Sequence, residues 1–66
     1  MNTTVSARPG NGSFVGTRCG VKERVFYFEY HTGKTVFSAR GECLHDAETA
    51  VRRVLKKRGV RIHGSL

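Results

Sequence analysis

Between Arg24 and Arg40 the chain reads RVFYFEYHTGKTVFSAR. Two runs rich in aromatic and β-branched residues flank His31-Thr32-Gly33-Lys34, a pattern that predicts two strands joined by a tight turn. Gly33 suits the turn because glycine takes φ > 0 without a Cβ clash. Setting Tyr30 opposite Thr35 places Phe28 opposite Phe37 and Phe26 opposite Ala39. Phe26, Phe28, Tyr30, Thr35, Phe37 and Ala39 then share one face, a core. Val25, Tyr27, Glu29, Val36, Ser38 and Arg40 share the other, which is mixed and meets water or a partner. A two-residue turn at Thr32-Gly33 and a four-residue loop give the same pairing, whereas a bulge would exchange the faces. A hairpin with a face this apolar needs a cover, and a chain of 66 residues has little material to supply one.

The cover is legible in HDAETAVRRVLKKRG. Ala47, Ala50, Val51, Val54 and Leu55 recur at helical spacing and make an apolar stripe. Asp46 and Glu48 open this segment and Arg52 to Arg58 close it, as the helix macrodipole favours. Gly59 is a natural stop. Upstream, SFVGTRC is a further strand, with a turn over Gly20 to Glu23. Residues 1–12, polar and small with Pro9-Gly10-Asn11-Gly12, read as a disordered arm. The expected fold is therefore α+β: a three-stranded antiparallel sheet packed by one C-terminal amphipathic helix, in a single domain over 13–66. The alternation in 60–63 admits a short fourth strand.

Charge bears on partners. Lys and Arg number 12 against 5 Asp and Glu, a net charge of +7. So basic a small domain suits a polyanionic partner. From Ala50 to Leu66 the chain carries six Lys or Arg and no acid. Arg52, Arg53, Lys56 and Lys57 all lie off the apolar stripe, where the like-charge i, i+4 pairs cost a few tenths of a kcal/mol each. Phe26, Phe28 and Phe37 are expected in the core, and Tyr27 on the opposite face. Without a paired aromatic platform for unstacked bases, the expected partner is double-stranded DNA; the alternative is an acidic protein surface.

Enzyme chemistry is not expected. Gly33-Lys34-Thr35 matches the end of a phosphate-binding loop, but that loop needs a second glycine where Phe28 stands and a helix where Val36-Phe37 continues a strand. Its fold needs several crossover units of roughly 30 residues each. His31, His45, His63, Cys19 and Cys43 do not assemble a zinc spacing. No catalytic residue, cofactor or metal is assigned, and Cys19 and Cys43 are expected as free thiols in a reducing cytoplasm. The first residues lack the apolar core of a signal peptide. No apolar run reaches the roughly 18 residues of a membrane span. An exposed edge over Ser13 to Cys19 allows a monomer or a weak dimer.

Phe26 to Val54 resembles the three-stranded-sheet DNA-binding domains, such as the arm-binding domain of lambda-type integrases and the plant ethylene-response-factor domain. The matching pieces are Tyr27-Phe28, Gly33-Lys34, Val36, Gly41 and Asp46-Ala47-Glu48 with Ala50, about half the chain. The resemblance implies that the sheet face enters the major groove with the helix behind it. It implies that Arg18, Arg24, Tyr27, Lys34, Ser38 and Arg40 are presented to DNA. A second likeness, of size and strand-helix architecture alone, is to small phage proteins that bind a host enzyme such as RNA polymerase or a nuclease complex. That likeness implies docking through the basic helix.

Overall fold

The computed structural model describes residues 4–60. Four strands and a helix follow in order: β1 (Val5–Pro9), β2 (Val15–Lys22), β3 (Val25–Thr32), β4 (Thr35–Gly41) and α1 (Leu44–Lys57). The strands form one antiparallel sheet in the order β1-β4-β3-β2, and α1 packs on one side of it against β4, β3 and the edge of β1. The fold is α+β, as the sequence predicts.

The core lies between α1 and the sheet. Phe28, Tyr30, Phe37 and Ala39 from the sheet meet Ala47, Val51 and Leu55 from the helix. The apolar stripe read from the sequence is thus the face the helix buries. Cys43 occupies the N-cap without a side-chain hydrogen bond to the first turn. The C-terminus closes by a Schellman motif. The Gly59 N–H donates to Lys56 O at 3.1 Å and the Val60 N–H to Leu55 O at 3.0 Å, with Gly59 at φ 74°. Val60 then folds back against the core.

The β3–β4 register differs from the expected one by two residues. Tyr30 faces Phe37, Phe28 faces Ala39 and Phe26 faces Gly41. A shift of two keeps every side chain on its face, so the core set stands although its partners change. The turn sets the register. Gly33 and Lys34 form the two-residue loop, with Gly33 at φ 98°. The Thr32 hydroxyl clamps it, donating to Thr35 O at 2.9 Å and accepting from the Thr35 N–H at 3.0 Å. Gly33→Ala is expected to cost about 1–2 kcal/mol through the left-handed backbone, read as a lower urea midpoint. An unchanged midpoint would show that the turn tolerates a Cβ.

Two further expectations change. The β2–β3 turn is Glu23-Arg24 rather than Gly20 to Glu23, with φ 53° and 66°, the backbone of the tight hairpin turn whose twist matches the strands. Arg24 therefore sits at a hairpin tip and not within a strand. The arm expected over residues 1–12 holds β1. Val5 pairs with Ala39 and Ala7 with Phe37, and the Gly10 N–H reaches Lys34 O at 2.8 Å. Composition hides this strand because it buries only Val5 in part. Its gain is hydrogen bonding, since it completes the open edge of β4. The fourth strand is thus N-terminal; the one admitted over 60–63 falls, beyond Val60, outside the described residues.

Candidate functional site

The helix packs on one side of the sheet only. Alternation sends Ser6 and Arg8 of β1, Arg18 and Lys22 of β2, Tyr27 and Glu29 of β3, and Ser38 and Arg40 of β4 to the other, outer side. A shallow depression of about 300 Å³ lies among Arg8, Arg18, Lys22, Tyr27, Glu29 and Arg40. Cations ring it, with a tyrosine and a carboxylate at its middle.

Glycines shape this surface. Gly20 faces Tyr27, and a Cβ at Gly20 would stand 3.2 Å from the tyrosine ring. Tyr27 therefore lies across β2 instead of standing up from β3. Gly16 makes the same room for Phe14, whose ring a Cβ there would meet at 3.0 Å. Between the two rings stands Arg18, its guanidinium 4.5 Å from the Phe14 centroid. Phe14 also meets the His31 ring edge-on at 5.3 Å. The loop after β1 covers this end of the outer face, so Val36, on the side expected to be open, is buried.

One network crosses the middle. Arg8 Nη2 donates to Glu29 Oε2 at 3.0 Å, and His31 Nε2 lies 3.2 Å from Glu29 Oε1. Arg8 also approaches Ser38 Oγ at 3.4 Å, and Ser38 Oγ lies 3.0 Å from Ser6 Oγ. Burial pushes the Glu29 carboxyl up, but hydrogen bonds from Arg8 and His31, together with their charge, outweigh it and hold the carboxyl below its ordinary 4.5. Glu29 thus neutralises Arg8. Arg18, Lys22 and Arg40 have no ion pair among the described residues.

A carboxyl lowered by folding stabilises the folded state fully above its unfolded value. That contribution fades as pH falls through the folded value and is gone below it. The protein is therefore expected to lose stability as pH drops below about 4.5, and Glu29→Gln to lose less over that interval. Urea midpoints at neutral and acid pH measure the difference. Parallel curves for the two proteins would remove Glu29 from the account.

The structure divides the predicted site residues into groups. Arg18, Tyr27, Ser38 and Arg40 come together on the outer face. Arg24 and Lys34 stand exposed at the two hairpin tips, at opposite ends of β3. Arg52, Arg53, Lys56 and Lys57 belong to the helix, on the far side of the sheet; Arg52 there donates to Glu48 at 2.7 Å. Arg8, Lys22 and Glu29 complete the outer face without having been singled out as site residues. Alternation signals Lys22, on the same side as Arg18, and Glu29, on the same side as Tyr27; Arg8 carries no such signal, because its strand is not legible in the sequence.

Among the described residues no group of three or more His, Cys, Asp or Glu could hold a metal ion, and no helix is long and apolar enough to cross a membrane. Cys19 on β2 and Cys43 at the helix start are exposed free thiols. Comparison with protein-family models, curated protein sequences and solved structures finds no match to this chain.

Proposed function

We propose that this protein is a small double-stranded DNA-binding module that meets the duplex with its outer sheet face. The observation that carries this reading is the set Arg18, Lys22 and Arg40. These are exposed cations that have no ion-pair partner among the described residues, gathered around Tyr27 on the sheet face opposite the helix. Spacing supports it. Arg18 on β2 and Arg40 on β4 lie two strands apart, roughly 10 Å across the sheet, and the major groove is about 12 Å wide. A sheet seated in that groove brings both side chains towards the flanking phosphates. Tyr27, on the strand between them, lays its ring across β2 and offers the groove a flat face, and Lys34 and Arg24 at the hairpin tips extend the cationic surface along the backbone.

The other reading is a small inhibitor that docks on an acidic protein through its basic helix. Protein interfaces draw their energy from buried aromatic and apolar anchors. The large apolar side chains exposed among the described residues are Val15 and Val21, both on β2, and the solvent side of α1 offers none. The DNA reading is therefore favoured.

Fluorescence anisotropy with a labelled short duplex tests it. Affinity is expected to fall by about 0.9 log units per log unit of salt for each phosphate contacted, so Arg18, Lys22 and Arg40 together set a slope near −3. Absence of binding at low salt would end the proposal. A stoichiometric protein partner that survives nuclease treatment would turn it to the inhibitor reading.

A further inference from the structure

We infer that the domain has a second polyanion-binding surface on α1 and bridges two segments of duplex DNA, one on each side. This rests on the duplex reading of the sheet face. Apart from Arg24 and Lys34 at the hairpin tips, two sets of exposed cations lie with the sheet and core between them. Arg18, Lys22 and Arg40 are on the outer side of the sheet, and Arg53, Lys56 and Lys57 are on the solvent side of the helix. All of the second set are exposed and, among the described residues, without an ion pair. Glu48, an acid of the helix, is engaged with Arg52 instead.

The helix dipole accounts for Lys56 and Lys57, which lie in the last turn. It does not account for Arg53, which stands a turn earlier and four residues from Lys57, where like charges repel. A multivalent anion laid along the helix resolves that repulsion. The surface also lacks exposed large apolar side chains among the described residues, so charge is its means of recognition, and charge complementarity with a phosphate backbone is what it offers.

One duplex cannot serve both surfaces. The body measures 28 × 23 × 21 Å, and bending a stiff duplex around something so small is costly. At physiological salt the screening length is about 8 Å, so cations on opposite layers act on separate ligands. Each layer therefore takes its own duplex segment.

The test uses the full chain and two populations of a short duplex, one carrying a donor and the other an acceptor fluorophore. Wild-type protein is expected to bring the two together, giving energy transfer that excess salt abolishes. The triple variant Arg53→Gln, Lys56→Gln and Lys57→Gln alters exposed positions and leaves the core intact. It is expected to bind a single duplex within about threefold of wild type by anisotropy and to lose the energy transfer. Tight duplex binding without energy transfer at any protein-to-DNA ratio would overturn bridging and leave the DNA reading standing. Energy transfer unchanged in the triple variant would overturn the helix surface, since protein self-association would then join the duplexes. No binding to either duplex would overturn both readings.

Discussion

Arg18→Gln with Arg40→Gln is expected to weaken duplex binding about 100-fold at low salt, because each lost contact to a charged group is worth about 1.5 kcal/mol at the lower end and tenfold in affinity is about 1.4 kcal/mol. Both side chains are exposed, and Arg40 has no ion pair among the described residues, so the double variant should stay folded, with a urea midpoint lowered only by the loss at Arg18. Arg18 gives up its position over the Phe14 ring, worth about 0.5–1 kcal/mol at an exposed site. The salt slope should flatten by about two units as two phosphate contacts disappear. Anisotropy titrations at several salt concentrations read affinity and slope together. If affinity and slope both stay at wild-type values, the outer sheet face is not where the duplex sits. The same substitutions on the helix act differently, which separates the two cationic surfaces.

Phe28→Ala is expected to remove most of the fold. Phe28 is fully buried, with Tyr30, Val51, Leu55 and Ala47 around the same core. Truncating a buried phenylalanine costs about 3–5 kcal/mol, whereas a chain of 66 residues has a total stability of only about 3–10 kcal/mol at the usual yield per residue. The variant should show a largely unfolded circular dichroism spectrum at 25 °C, or a urea midpoint shifted far down. A wild-type midpoint would mean that the helix does not close over this part of the sheet. Phe26, on the same face of β3 but half-buried, should tolerate truncation better, since its partner in the register is Gly41.

Particular residues show how far the site could be read in advance. Tyr27, Ser38 and Arg40 are placed on the outer face by alternation along two strands, and a register error of two residues does not disturb that. Arg18 joins them through the β2–β3 pairing, Arg18 with Glu29. Arg24 is misplaced because the turn is one that non-glycine residues enter at positive φ, for which Glu23-Arg24 carries no strong signal. Arg8 is hidden because its strand contributes little buried apolar surface and gains its place from the hydrogen bonds of a neighbouring edge. Glu29 lies on the expected face, yet its role depends on a partner from β1, 21 positions away in the sequence.

Local pattern by itself determined the strands of the central hairpin, the helix, its apolar stripe, the glycine that ends it and the excess of cations. Each of these depends on residues a few positions apart, where periods of 2 and 3.6 and the preferences of glycine act directly. Tertiary structure alone decided which N-terminal residues become a strand, which glycines make room for Phe14 and Tyr27, and which cation is neutralised. It also decided that Arg18, Lys22 and Arg40 share one layer while Arg53, Lys56 and Lys57 lie on the opposite one. The physical reason is that these are meetings across the sheet. Hydrogen bonding at an open edge, ring packing over a glycine and a carboxylate's choice of partner are all set by what chain closure brings near.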